Sequence, residues 1–506
     1  MGLRWMVRLL LGLLLASAAM ASAQTATRAE AGLPFLRNYT PRDYGAHGQN
    51  WVVVQDPRGI IYAGNNDGVL EFDGERWRLI RTEKRTVVRA LAVAPDGRVY
   101  VGALGEIGVL EPDPQGSLRY VSLLDRLAPA DRQFDDVHHV FVLGGDVYFA
   151  TYARLIRLRG DSVRTWTPST AFHRAFMARD RLFIRERGRG LMELVGDELL
   201  GVPGGDAMAE AAVDFVLPWG GGDGLLVGSR DSGLQVLDGG PLRPLVSDVD
   251  AALRRDLVYS GAQLIDGGYA LGTFQGGVYF LDATGRLRGR LDKSRGLQDD
   301  TVLGLFVDRQ GGLWLALDRG LSRVESALPL SRFDERSGLN GAVLSLHRHR
   351  GVLHAGTAQG VFRLQPGAEA RFVAVDGLRG QTYAFLSVGD DLLVGNNDGS
   401  FLIRDGTVSQ LQRGDTGTTM GFLASRTTPG RIYVGLWDGL AVLRHAHGAW
   451  IDEGRIDGIN LTVSSMVEEA DGRLWVGTWN HGVARLRFAT DADGRVVLGA
   501  REDFDV

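Results

Sequence analysis

The sequence predicts an all-β chain, a β-propeller built as one seven-bladed ring followed by a partial second propeller of about four blades. Three observations carry this: a short phrase that recurs eleven times, a regular interval between its copies, and Gly, Asp and Asn gathered at the turns. Each copy reads as an apolar run, an Asp-x-x-Gly-like turn, an apolar pair often ending in Trp or Tyr, a small residue, and a Gly-led apolar strand. Val307–Val324 and Val467–Leu486 are the cleanest copies, with Val54–Phe72 close behind.

Residues 1–23 precede the repeats and read as a secretory signal peptide. Arg4 and Arg8 supply a positive start, Leu9–Leu15 an apolar core, and Ala21-Ser-Ala23 a small-residue cleavage site. The apolar run falls short of the ~20 residues a spanning helix needs. The mature chain is therefore expected in the periplasm or secreted, cut near Ala23. No later stretch is apolar enough to span a bilayer.

The orphan stretch Phe35–Tyr39 comes next and has the character of an outer strand with no inner strands ahead of it. It is expected to close the first ring by pairing with the blade that contains Leu313–Val324. The small residue that closes the second strand of each repeat then falls at Gly64, Gly102, Ala150, near Arg185, and at Gly228, Gly272 and Ala316. Intervals of about 35 to 48 residues are the period of a four-stranded blade. These seven repeats define a ring over residues 24–330. Four more, closing at Gly356, Gly395, Gly435 and Gly477, define the partial second ring over residues 331–506. An open arc exposes sheet edges, so further sequence beyond Val506, or a closed four-bladed ring, is expected to protect them.

Composition narrows the function. The chain has no Cys, which excludes disulfides, thiolate metal sites and Cys nucleophiles. Its formal charge of −5 becomes −7 once Arg4 and Arg8 leave with the signal peptide, the wrong sign for a nucleic-acid partner. No G-x-S-x-G elbow, H-E-x-x-H helix or P-loop is present, so no catalytic residue is assigned. No cofactor or metal is expected either. Asp491-Ala-Asp-Gly494 lacks the remaining ligands of a calcium loop. His138 and His139 would point to opposite faces of a regular strand and could not chelate one ion without a bulge.

The phrases Gly312–Val324 and Gly472–Gly482, with the opening Asp43–Trp51, Gln55–Gly59 and Glu71–Gly74, resemble the two-component-regulator propeller repeat of periplasmic sensor proteins. The copies around Tyr148–Tyr152 and Leu182–Arg187 depart from that pattern. The resemblance implies a ligand-sensing region, typically two seven-bladed rings followed by a β-sandwich, a membrane helix and a cytoplasmic kinase, cyclase or DNA-binding output. Any such output would lie outside these residues, and as part of a sensor the chain would form a homodimer.

Turns between the second and third strands of each blade lie on one end of a propeller, around its central channel. They place Asn65, Asn66, Asp67, Arg230, Asp231 and Gln275 on the first ring and Trp437, Trp479, Asn480 and His481 on the second. Aromatic planes beside amides and carboxylates suit a small extracellular ligand, neutral or weakly charged, with an oligosaccharide as the fitting class. Asn-Asn-Asp-Gly tracts also serve as plain hairpin turns. The expected function is a non-catalytic sensor or binding region. The alternative is a secreted propeller enzyme, a polysaccharide lyase or glycoside hydrolase.

Overall fold

The computed structural model describes residues 30–367, 369–412, 417–479, 481–492 and 494–504; the expected signal peptide lies outside them. Among the described residues the chain forms eleven antiparallel sheets of four strands each; it divides into two units, Leu33–Arg332 and, taken with the residues before Leu33, Phe333–Val506. No helix among them is long and apolar enough to cross a membrane.

In the first unit, sheets one to seven open with the inner strands Asn50–Gln55, Val88–Val93, Val137–Leu143, Phe172–Ala178, Phe215–Pro218, Val258–Gln263 and Val302–Val307. Six of them run inner to outer in chain order. Sheet seven takes its outermost strand from the start of the chain: Leu36–Tyr39 pairs with Gly320–Val324, Leu36 opposite Val324 and Tyr39 opposite Leu321. Each inner strand packs beside the next, and that of sheet seven packs beside that of sheet one. In the second unit, sheets eight to eleven open with Val343–His349, Thr382–Val388, Thr419–Ala424 and Val463–Glu468, again packed in order.

Three local rules build these sheets. First, the Asp of the Asp-x-x-Gly turn is a structural staple. Buried Asp308 accepts the backbone N–H of Gln310 and Gly312, and its other oxygen accepts from the Trp314 indole and Arg323. A buried carboxylate with every lone pair used in this way fixes a turn and is not available for chemistry.

Second, the small residue closing the second strand is the seat for the neighbouring sheet. A Cβ on Gly102 would sit 2.5 Å from Val137 of sheet three, and one on Gly435 2.6 Å from Val463 of sheet eleven. At Gly64, Gly102 and Gly272 the first residue of the following inner strand fills that seat, and Val88, Val137 and Val302 are fully buried; at Gly228 the ring of Phe215, in the same sheet, fills it instead. Sheet four departs from the pattern with Arg185, whose buried guanidinium donates to the carbonyls of Met208 and Ala209.

Third, the inner strands carry a β-bulge just after that buried residue. The register slips between Asn50 and Val52, Val88 and Ala90, Val137 and His139, Phe172 and Ala175, Val258 and Ser260, and Val302 and Gly304. Sheet five has no slip at this place, since Phe215 opposes Gly228 directly. The extra residue cannot join the ladder, so its side chain is re-aimed.

Candidate functional site

The re-aimed residues meet at the centre of the first unit. A cavity of about 380 Å³ is lined by all seven inner strands, with Trp51, Arg89, His138, Arg174 and Tyr259 from the bulges and Asp214 from the step into sheet five. Tyr152, on the turn between the second and third strands of sheet three, also lines it, and the bulges lie at the end of the inner strands where such turns emerge, since Asn50 opposes Asn65.

The lining alternates charge with aromatic planes. Arg89 lies over the Trp51 ring at 4.2 Å and pairs with Asp136 at 3.1 Å. Arg174 lies over Tyr259 at 4.2 Å, its Nη1 donating to the carbonyls of Asp214 at 3.0 Å and Tyr259 at 3.4 Å. Asp214 has a fully buried carboxylate, held by the Arg230 guanidinium at 2.6 Å and by the Arg230 backbone N–H at 2.9 Å. Arg230 in turn faces Tyr259 and Phe274.

His138 and His139 do come together, because the bulge between Val137 and His139 supplies the kink that a regular strand lacks. Their Nδ1 atoms stand 3.0 Å apart, a hydrogen bond in which one ring donates. Burial, and then the Arg174 and His173 charges, push His138 down to about 3; burial also takes His139 well below its usual value and His173 to about 4. All three rings are neutral near pH 7. Among the described residues no group of three metal-capable side chains gathers there or elsewhere.

The turn residues singled out from sequence have diverse placements. Asn65 is a correction: it is fully buried, donating to the carbonyls of His47 and Gln49 and to Asn50, and accepting from the Asp67 N–H, so it holds the loop together. Asn66 accepts from the Trp51 indole at 2.8 Å and thereby orients a cavity wall. Asp67 accepts the His47 N–H. Arg230 stands beside the cavity through Asp214, while Asp231 and Gln275 are exposed on neighbouring turns. In the second unit Trp437 and Trp479, 47% and 59% exposed, meet edge to face at 5.1 Å. His481 is exposed nearby in sequence, and Asn480 lies outside the described residues.

Sequence reasoning missed Trp51, Arg89, Arg174 and Tyr259. A signal for them exists: one or two residues after the buried residue that opens an inner strand (Asn50, Val88, Val137, Phe172 or Val258), the apolar pattern is broken by Trp, Arg, His or Tyr.

Fold and site together define a β-propeller protein with a ligand-sized central cavity. Its sequence carries the two component regulator propeller repeat, whose family description matches residues 457–480. No curated protein sequence matches the chain. Among solved structures it is similar to the extracellular domain assigned to a hybrid two component system of B. thetaiotaomicron, at 18% identity and a TM-score of 0.67, covering 93% of this chain and 67% of that one. A second extracellular domain, assigned to a one component system of B. thetaiotaomicron, matches at 16% identity and a TM-score of 0.47 over 93% of this chain and 73% of that one. Virginiamycin B lyase from Staphylococcus aureus matches at 11% identity and a TM-score of 0.44 over 57% of this chain and 97% of that one. At such identities the likeness is one of fold.

Proposed function

We propose that this chain is the extracellular ligand-recognising region of a signal-transduction sensor, exported after cleavage near Ala23 and without catalytic activity of its own. In this reading sheets one to seven form a closed seven-bladed propeller and sheets eight to eleven part of a second one. The central cavity of the first, rimmed by Asn66, Asp67, Arg230, Asp231 and Gln275, receives the ligand, and an output region outside this chain receives the signal. The Trp437–Trp479 pair and His481 form a second platform with an exposed aromatic plane suited to a sugar face.

One observation supports this above the others: chemistry-bearing side chains replace the apolar pattern at the bulged positions and converge on one cavity. Structural need alone favours Val or Leu there, as Leu303 illustrates in sheet seven. A repeat that keeps its scaffold and varies its bulges is a scaffold for recognition.

The enzyme reading keeps one observation in its favour. Neutral His138 lies against Tyr152 at 4.9 Å in the same cavity as Arg174, a base, a hydroxyl and a cation of the kind a lyase needs. A glycoside hydrolase is disfavoured, since it needs two usable carboxylates and Asp214, the one carboxylate in the lining, is ion-paired. Residues 24–506 should be titrated with glycans by calorimetry while products are followed. Binding without new reducing or unsaturated ends is the expected result. Release of unsaturated ends would replace the sensor with a lyase.

A further inference from the structure

We infer that the central cavity of the first unit selects a ligand bearing a carboxylate, and that Arg174 is the residue that grips it. This deepens the proposal above and rests on its reading of the cavity as a ligand site. It narrows the neutral or weakly charged ligand that the turn residues alone implied to a charged one.

The charges decide the matter. Three charged groups line the cavity: Arg89, Arg174 and Asp214. Asp214 is neutralised by Arg230, and Arg89 is paired with Asp136. Arg174 makes no ion pair among the described residues. With the three neighbouring imidazoles neutral, the cavity keeps one uncompensated positive charge, and that charge is on Arg174. A cation held partly out of water without a counterion is costly unless a ligand supplies one.

Geometry specifies the kind of anion. Arg174 spends Nη1 on two backbone carbonyls and lays its plane on Tyr259, which fixes the guanidinium. Its Nε–Nη2 edge has no protein partner among the described residues. That edge is the one this protein uses elsewhere to hold carboxylates two-pronged: Arg404 grips Asp391 through Nε and Nη2 at 2.6 Å each, and Arg181 grips Glu193 the same way. A planar carboxylate therefore fits the open edge with two parallel hydrogen bonds. Trp51, Tyr152 and Tyr259 add aromatic rings to the lining, and about 380 Å³ accommodates a ligand the size of one or two sugar rings. The class that combines a carboxylate with flat ring faces is an acidic sugar, a uronate.

The test is calorimetric titration of residues 24–506 with digalacturonate, its dimethyl ester, a neutral digalactoside and a sulfated disaccharide. Digalacturonate should bind, and esterification, the neutral sugar and Arg174→Gln should each weaken binding by about tenfold to a hundredfold, the worth of a lost two-pronged charged contact. The ester comparison uses the unaltered protein, so it stands even where Arg174→Gln disturbs the fold; a thermal melt shows whether it does. Ester or neutral sugar binding as tightly as the acid would overturn the carboxylate assignment. If that binding is lost in Tyr259→Ala, the cavity remains the ligand site and only its charge selectivity fails. Tightest binding by the sulfated sugar moves the specificity to sulfate and overturns the inference. No binding by any acidic probe, or acid binding untouched by Arg174→Gln in a folded protein, overturns it as well.

Discussion

Trp314 in sheet seven and Trp475 in sheet eleven stand at matching places. Each donates its indole N–H to the turn carboxylate six positions earlier, Asp308 at 3.1 Å and Glu469 at 2.6 Å. Trp314 is 2% exposed, stacked on Tyr39 at 5.5 Å and edge-on to Phe72 of sheet one. Trp475 is only partly buried, against Phe504 and Arg485 of its own sheet. The same contrast appears where the second unit opens. Val343 holds the place of Val88 and Val302, yet it is 44% exposed while they are fully buried. The sheet beside a residue of this repeat thus completes the burial that its own sheet begins.

The contrast can be broken most directly at the tryptophans. Trp314→Ala should cost about 3 to 5 kcal/mol, the range for a large aromatic removed from a packed core. Trp475→Ala should cost about 1 to 2 kcal/mol, because water already reaches that ring. Denaturant unfolding of residues 24–506, followed separately for the two units, checks both; equal losses would mean that the neighbouring sheet does not matter.

The seats offer a sharper version. Gly102→Ala drives a methyl into Val137 of the next sheet and should cost about 1 to 3 kcal/mol. Gly477→Ala meets mainly the Ser465 hydroxyl of its own sheet, which can rotate away, and should cost less than about 1 kcal/mol. The melting temperatures of the two variants give the comparison.

Acid should act on the first unit through its cavity. His138, His139 and His173 are held neutral in the folded state and are free to protonate in the unfolded chain, so their contribution is complete above about pH 6.5. It is lost as pH falls from 6.5 toward 4 and 3, where His173 and His138 would protonate in place. Urea midpoints at pH 7.5, 5.5 and 4.5 should fall in that order, and His138→Gln should flatten the decline. The smallest effect is expected at Val343→Thr, within about 0.5 kcal/mol, against about 1 to 2 kcal/mol for Val302→Thr, where the hydroxyl is buried.

Much of the fold was legible because a propeller repeat states its rules locally. Alternating apolar residues, the turn Asp and the small seat residue each answer to contacts within about forty residues. The stretch Phe35–Tyr39, apolar but without strands of its own, does pair, over Leu36–Tyr39, with the strand ending at Val324. The site was less legible. Asn65 looks like a ligand-facing turn amide, but three donor contacts draw it inward. The bulged positions look like faults in a strand, and only the register slip turns Arg89, His138 and Arg174 toward one another. The different fates of Trp314 and Trp475 are invisible for the same reason: nothing within either repeat says whether another sheet lies against it.

Sheet seven also has a history built into it. Leu36–Tyr39 are among the first residues of the unit to be made and Gly320–Val324 among the last. The chain must therefore carry an unpartnered strand through the synthesis of six sheets, and then bring it back. The equilibrium penalty for closing so long a loop grows only slowly, about 0.6 kcal/mol per doubling of length. The delay is kinetic, since contacts between distant residues form late. Until that strand docks, the edge at Gly320–Val324 is open to any other strand that meets it first. A shortened chain lacking Leu36–Tyr39 should aggregate through that edge, whereas the finished unit hides it.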